Sequence, residues 1–384
     1  MIQIPGYANK IYLKQINNNM KNKRLANFEV LRCALMLMIV FVHFFGHGEK
    51  YAQMNSNFCF HLNSTWGVIN FTISQIVATI AATAVNLFVF ITGYFMIECH
   101  SLSVHKIAKL WIPVAFYSVA MATVSFWGGN VGWHDLLKSF LPIKGEEYWF
   151  VTNYFALILF APFLAKLAAG LNSKSYQVGL AIMAFLMLEL YKFPYGFTYK
   201  NGYGTSLLFF VMLFFVGGYF RKYGNLLPLK ALGLKNNRKF FLIVVCLVSI
   251  YGAVRGVSVE NAKAVVCTTP YHSFTFLVSV ALFQYFLNLN FCENWFTKLC
   301  CILAPYTFAV YLIHDNSYVR NWLWHDVIHL ENTLNTPYYG LLVLFVPLAI
   351  YLCCITVEYL RVELFKVICV NKLLQKIKYE VVIF

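Results

Sequence analysis

Apolar stretches that approach or exceed the length of a membrane span recur from one end of this chain to the other. A transmembrane helix needs about 20 mostly apolar residues, because each residue rises about 1.5 Å along the axis. Short polar segments separate the stretches. The apolar stretches lie at about 28–45, 70–97, 107–127, 149–168, 177–193, 205–222, 240–255, 271–289, 301–322 and 338–360. The pattern predicts an all-α, polytopic integral membrane protein with about ten transmembrane helices.

The amino-acid composition agrees with this prediction. Hydrophobic residues make up 60% of the 384-residue chain and charged residues only 12%, whereas soluble domains carry about 25% charged residues. The sequence predicts one membrane domain over 25–362, between basic cytoplasmic flanks at 1–24 and 363–384. No internal repeat is visible, which weighs against transporter folds built from two related halves.

The formal charge of +15 follows the predicted topology and does not indicate a nucleic-acid partner. With the N-terminus in the cytoplasm, 21 of the 30 Lys and Arg residues fall in cytoplasmic segments and 8 in outer loops, while Arg32 lies within the first span. Positive charge collects on the cytoplasmic side of membrane proteins, against anionic lipid. The sequence therefore predicts a multi-pass protein of the inner membrane, in contact with its lipid and with both termini in the cytoplasm.

The 11 cysteines do not form a metal-binding pattern. They include no CxxC pair and no Cys/His cluster with zinc spacing, so the sequence predicts no metal. Cys59 and Cys267 fall in predicted outer loops and could pair, but the sequence gives no distance between them. The sequence leaves the oligomeric state open as well.

The first apolar stretch carries an arginine and a histidine at a helical spacing. Arg32 and His43 lie eleven positions apart, which places them on one side of a helix and roughly 16 Å apart along its axis. An arginine within hydrocarbon costs about 2.5–3.5 kcal/mol, so it usually has a function. The alternative is a salt bridge from Arg32 to Glu29 at the start of the helix, with His43 as a polar residue at the outer interface. Helix geometry alone does not choose between these interpretations.

Four segments follow one another along almost the whole chain. They read RLANFEVLRCALMLMIVFVHF (24–44), VNLFVFITGYFM (85–96), EEYWFVTNYFALILFAPFL (146–164) and YTFAVYLIH (306–314). In this order they resemble the acyltransferase 3 family of membrane proteins. That family has an arginine, ten residues and a histidine in its first span. Its later motifs are a hydroxyl residue before glycine, a Trp-Phe pair, and an ending in Tyr-Leu-Ile-His.

The chain departs from the family pattern in two of its motifs. Lys106 and Lys109 stand where the family often has Arg-x-x-Arg before the third span. Lysine is a point charge without the bidentate fork of arginine, so phosphate binding there would act through charge alone. Tyr148 replaces the histidine that precedes the family's tryptophan, which removes one candidate acid or base.

The resemblance implies an O-acetyltransferase that moves an acyl group, usually acetyl, from cytosolic acetyl-CoA or another acyl-CoA to a hydroxyl of a surface or capsular polysaccharide. A hydroxyl needs a base to attack a thioester, and neutral imidazole suits that role near pH 7. His43 is the predicted catalytic base. Arg32, the other catalytic candidate, lies too deep to touch the same carbon and is predicted to bind the donor with Lys106 and Lys109. A contribution of Arg32 to an oxyanion site is the lesser alternative.

His314 is a further candidate on the acceptor side. It has Asp315 beside it and Tyr311 one turn earlier. It is either a core histidine bonded to a neighbouring helix or a group that binds acceptor or orients His43. Arg320, near the outer end of the same predicted span, is either a membrane anchor or a site for an anionic acceptor.

Other polar and aromatic residues are candidate site-lining groups. Asn86 within an apolar span serves either helix–helix contact or the site. Thr92 keeps the hydroxyl of the family motif. Trp149 either stacks on a sugar ring or belongs to the interfacial aromatic belt. Glu146 and Glu147 would suit sugar hydroxyls, but they are also typical of a solvated loop.

A polytopic transporter or flippase for a lipid-linked glycan is the alternative function. In such a protein an intramembrane arginine and histidine would line the substrate pathway. A sensory or scaffold protein explains the pair less well, since it gives no reason for both residues on one face.

Overall fold

A computed structural model describes most of the chain. The described residues are 26–49, 60–142, 148–189, 206–226, 273–289, 294–330, 332–368 and 380–382, with Cys292 and scattered positions between 239 and 254.

The described part of the chain is almost entirely helical. The helices are α1 (Ala26–Glu49), α2 (Thr65–Ala81), α3 (Ala84–Met96), α4 (Val104–Trp127), α5 (Trp133–Ser139), α6 (Trp149–Ala169), α7 (Ser173–Ala184), α8 (Leu207–Tyr223), α9 (Ser273–Leu287), α10 (Trp295–Leu303), α11 (Thr307–His314), α12 (Ser317–Asn321) and α13 (Tyr339–Val367). Three π-helical turns lie at the ends of α1, α7 and α12, at Phe44–Glu49, Phe185–Glu189 and Trp322–Val327, and a 3₁₀ turn lies at Ala304–Tyr306. Two short strands complete the fold, β1 (Ser101–Ser103) and β2 (Glu380–Val382).

Six described helical segments are long and apolar enough to cross a membrane. They are α1, the α2–α3 pair, α4, α6, the α10–α11 pair and α13. The shorter helices α7, α8 and α9 overlap three more of the predicted stretches, and the stretch 240–255 lies mostly outside the described residues. An all-α, multi-pass membrane protein is therefore confirmed, while the number of ten spans stays a prediction.

Helices α3 and α8 form the closest pair in the bundle. A Cβ atom added to Gly93 would lie 2.0 Å from the Phe214 carbonyl oxygen, and one added to Gly217 would lie 2.0 Å from the Phe90 carbonyl oxygen. Glycine at both crossing points lets the two backbones touch, as small residues do between membrane helices. Helices α6 and α9 pack against this pair.

Helix α11 lies inside the bundle and packs on α4 and α13. Helix α1 is joined to the residues before and within α10: the Asn27 amide donates to the Leu289 carbonyl (2.6 Å), and the Cys33 thiol donates to the Cys300 carbonyl (3.4 Å). These contacts hold α1 beside the α10–α11 segment. The C-terminal half of α1 therefore meets the end of α11.

The two strands bear on the topology. β1 and β2 pair antiparallel, with Ser101 opposite Val382 and Ser103 opposite Glu380. The pairing places the end of the chain beside the link between α3 and α4. The positive-inside pattern predicts the cytoplasm for both segments, so their pairing is consistent with it. Which face of the membrane they occupy stays a prediction.

The orientation can be measured with single cysteines in a background without native cysteines. We expect His134→Cys, in the predicted outer loop, to react with a membrane-impermeant thiol reagent in intact cells. Lys10→Cys and Lys376→Cys should react only after the cells are opened, because the positive-inside pattern places both flanks in the cytoplasm. Reporter fusions to both termini are the control. Labelling of either terminus from outside would reverse the assignment of the side that supplies acyl-CoA.

Candidate active site

Two histidines from distant parts of the chain meet near one end of the bundle. Nδ1 of His43, on α1, lies 2.7 Å from Nε2 of His314, the last residue of α11. On its other side, Nδ1 of His314 lies 2.5 Å from the carbonyl oxygen of Val310, one turn earlier. His314 is fully buried and His43 is largely buried.

The hydrogen bonds assign the protons on the two neutral rings. A carbonyl oxygen only accepts, so Nδ1 of His314 carries its proton and Nε2 of that ring is an acceptor. Nδ1 of His43 must then donate to it. Nε2 of His43 is left without a proton, as a general base requires.

A buried carboxylate adjoins the pair. Asp315 Oδ1 lies 3.8 Å from His43 Nδ1, 3.3 Å from His47 Nε2 and 2.9 Å from Arg320 Nε. Arg320 Nη2 also donates to the Asp315 backbone carbonyl at 2.8 Å. Arg320 is a permanent cation beside Asp315 Oδ1, and it favours the ionised form of the Asp315 carboxyl despite the burial of that group. The carboxylate therefore stays charged and favours positive charge on the histidines.

The π-helical turn Phe44–Glu49 directly follows His43. Such turns occur often at functional sites, where they change the direction of side chains on a helix. Here the His47 ring lies 5.0 Å from the His43 ring, and both histidines reach Asp315.

These groups also form the one described cluster with metal-ligand spacing. The ligand atoms of His43, His47 and Asp315 lie within 4.8 Å of one another. Two imidazoles and a carboxylate suit several transition metals. However, Arg320 already pairs with the same carboxylate oxygen, and a cation there would have to displace or tolerate the guanidinium. The donor set fits a metal poorly, and the absence of a metal stays a prediction.

Tyr148, which replaces the family's histidine, has a structural position. Its hydroxyl donates to the Leu312 carbonyl (2.8 Å) and accepts from the Asn316 side-chain amide (2.7 Å). The ring is buried. Tyr148 therefore connects the start of α6 to both sides of the His314–Asp315 turn and helps to hold that turn in place.

Arg32 pairs with Glu29, as the anchoring interpretation expects. The ion pair is 2.6 Å long and partly exposed, and it is the one charged contact of Arg32 within the residues that the structure describes. The pair does not test a donor-binding role, because a phosphate could also approach a half-exposed guanidinium. That role stays a prediction.

The two predicted donor-site lysines line a pair of adjoining cavities. Lys106 and Lys109 border a cavity of about 300 Å³, and Lys109 borders a second of about 340 Å³ that also reaches Arg361. Both cavities touch Pro305, at the base of α11, and Glu358 on α13. Each is at the small end of the range for ligand pockets.

The remaining predicted residues contact neighbouring helices. The Asn86 amide donates to Ser279 on α9 (3.1 Å), and the Thr92 hydroxyl is 3.1 Å from the Tyr154 hydroxyl on α6. Trp149 begins α6 and packs against the Phe210 ring at 6.2 Å. Their site-lining roles stay predictions. Glu146, Glu147, Cys59 and Cys267 lie outside the described residues.

Sequence reasoning missed His47 and a buried charged group on α13. Glu358 receives two hydrogen bonds from Arg361, at 2.7 and 2.6 Å, and a third from the Tyr117 hydroxyl at 2.8 Å. The four-residue spacing of His43 and His47 was a usable signal. So was Glu358 with Arg361 at the end of an apolar helix, since charges there rarely lack a function.

Comparison with known proteins gave one match. The model of the acyltransferase 3 family, described as an acyltransferase domain, matches residues 25–357, which is most of the chain. No curated protein and no solved structure matches this chain.

Proposed function

The chain belongs to the acyltransferase 3 family and is therefore a membrane acyltransferase, and from this premise we propose its donor, acceptor and mechanism. The proposed donor is cytosolic acyl-CoA, with acetyl as the acyl group. The proposed acceptor is a hydroxyl of a surface or capsular polysaccharide or of its precursor. The observation that carries the proposal is the 2.7 Å contact between His43 Nδ1 and His314 Nε2, which in the neutral pair leaves Nε2 of His43 without a proton.

The proposed reaction uses His43 first as a base and then as an acid. Nε2 takes the proton of the acceptor hydroxyl while the hydroxyl oxygen bonds to the thioester carbon. The tetrahedral intermediate then collapses, the carbon–sulfur bond breaks, and Nε2 returns the proton to the departing thiolate. The products are an ester and free CoA, and the enzyme ends in its starting protonation state.

His314 and Asp315 support this cycle without touching substrate. Nε2 of His314 accepts a hydrogen bond from the Nδ1–H group of His43 and so orients the His43 ring. When Nε2 takes a proton, the imidazolium lies 3.8 Å from the Asp315 carboxylate, whose charge stabilises it. Arg320 and His47 limit the stabilisation of the imidazolium, because both also interact with this Asp315 oxygen.

The cavities beside Lys106 and Lys109 suit the phosphate-bearing end of the donor. Two lysines and Arg361 supply positive charge at their walls, although Arg361 also pairs with Glu358. From Pro305 to His314 the helical segment covers roughly 14 Å, at about 1.5 Å per residue. An extended pantetheine arm along α11 could span that length. This relation supports a donor that enters from the Lys106 end and reacts at His43.

The function is tested with purified protein in lipid nanodiscs, acetyl-CoA and a hydroxyl-rich glycan acceptor. We expect release of free CoA thiol together with ester formation on the glycan. A flippase would move glycan across the bilayer without releasing thiol, so the assay separates the two candidate functions. Absence of thioester cleavage under every donor and acceptor condition would contradict an acyl-CoA donor.

The donor site has its own prediction. We expect the double variant Lys106→Gln, Lys109→Gln to raise the KM for acetyl-CoA about tenfold with little change in kcat, because phosphate loses two charge contacts. Arg32→Lys should act in the same direction, since it keeps the charge and loses the fork. Lys138→Gln, in the predicted outer loop, is the matched control. An unchanged donor KM with an altered acceptor KM would move these residues to the acceptor side.

A further inference from the structure

One tyrosine beside the histidine pair has an unused hydroxyl. Tyr311 on α11 is 5% exposed, and its hydroxyl has no hydrogen-bond partner among the described residues. A buried hydroxyl without a partner is unfavourable, so such groups are uncommon and usually have a reason. The Tyr311 ring lies 6.1 Å from the His43 ring and 6.0 Å from the Phe150 ring, measured between centroids. The Tyr311 ring is therefore close both to the predicted base and to the beginning of α6.

The beginning of α6 presents backbone donors without an intrahelical acceptor at the same place. The first intrahelical bond of α6 runs from the Thr152 N–H to the Tyr148 carbonyl, so the N–H groups of residues 149–151 have no acceptor within the helix. The Tyr148 side chain does not cap them, since its hydroxyl bonds to Leu312 and Asn316. The Phe150 N–H interacts with the Tyr311 hydroxyl but does not reach hydrogen-bond geometry.

The two features complement each other chemically. The N-terminus of a 21-residue helix carries partial positive charge, and the Tyr311 O–H is a donor that has no acceptor. Together they could receive one negatively charged oxygen. Such an oxygen forms in the proposed reaction when the thioester carbonyl becomes tetrahedral.

We propose that Tyr311 is a catalytic residue, and that its hydroxyl and the first N–H groups of α6 form the oxyanion site. The inference rests on the proposed acyl transfer. As the acceptor oxygen bonds to the thioester carbon and its proton passes to His43, the carbonyl electron pair moves onto oxygen. Tyr311 donates a hydrogen bond to that oxygen and keeps its proton. Collapse then restores the carbonyl and expels the thiolate.

The test is Tyr311→Phe, which removes only the oxygen atom. We expect kcat to fall about 10²-fold while the KM for acetyl-CoA stays within about twofold, because the interaction exists only in the transition state. The matched control is Tyr351→Phe on α13. The Tyr351 hydroxyl is also buried, but it interacts with the Cys33 thiol and not with the histidines. The control should keep the wild-type kcat.

A binding measurement tests the same site without turnover. A trifluoroketone analogue of acetyl-CoA hydrates readily and imitates the tetrahedral oxyanion, whereas the plain ketone analogue does not. We expect wild-type protein to bind the trifluoroketone at least tenfold more tightly in calorimetry, and Tyr311→Phe to lose that preference. Equal affinities in the wild type, or a Tyr311→Phe variant with wild-type kcat, would overturn the oxyanion site. Wild-type protein that cleaves no thioester would instead contradict the proposed function, whatever the analogues show.

Discussion

Replacement of His43 by alanine is expected to lower acyl transfer by about 10²–10⁴-fold. The variant removes the group whose Nε2 is free to take the acceptor proton. His314 cannot substitute, because its Nδ1 is bound to the Val310 carbonyl and its Nε2 faces His43. The measurement is the initial rate of CoA release and of ester formation, with donor and acceptor both saturating.

The control for this prediction is His134→Ala. His134 is an exposed histidine on α5, and its side chain is 87% accessible. It should keep wild-type activity. Expression and thermal stability of His43→Ala must match the wild type, so that the loss is one of chemistry. Activity within a few-fold of the wild type would exclude His43 as the base.

The second large effect is expected at His314, which positions His43. His314→Ala removes the acceptor for the Nδ1 proton, so the His43 ring can rotate and can also carry its proton on Nε2. We expect kcat to fall about 10²-fold, the loss that a misplaced catalytic group typically causes, with an unchanged KM for acetyl-CoA. Separate determination of kcat and KM checks the prediction.

The conservative variant distinguishes positioning from packing. His314→Gln keeps a side-chain oxygen that can accept from His43 Nδ1, so it should recover part of the lost kcat. A merely structural role would lower stability in both variants without this recovery. If His314→Ala and His314→Gln retain wild-type kcat, the hydrogen bond between the histidines is not needed for catalysis.

Much of the helical architecture was predictable from the hydrophobic pattern. The stretch 149–168 became α6 at Trp149–Ala169, and 107–127 became α4 at Val104–Trp127. Long apolar stretches allow few alternatives, because backbone groups in lipid must be satisfied within a helix. The stretch 301–322 does not form one continuous helix.

That stretch is a series of short helices. Pro305 lies in a 3₁₀ turn between α10 and α11, and α11 ends at His314. The Asn316 side chain then caps α12 by accepting from the Tyr318 N–H at 3.0 Å. Hydrophobicity records the common apolar character of these residues, whereas proline and asparagine decide where the helix breaks. The break places His314 and Asp315 at a turn, where both can face α1.

The sequence by itself determined the membrane class, the position of most helices and one local pair. The pair of Arg32 with Glu29 follows from a three-residue spacing on one helix. The sequence also indicated His43, through the resemblance of its segment to the acyltransferase 3 family.

Only the tertiary structure decided what His43 can do. His43 and His314 are 271 positions apart, and nothing in the local pattern of either helix selects the other as a partner. Their meeting depends on how α1 and α11 pack within the bundle. That meeting sets the proton positions on the two rings. It also brings the Asp315 carboxylate and the Tyr311 hydroxyl beside His43. Spacing along one helix follows from its geometry alone, whereas contacts between distant helices follow from the packing of all of them together.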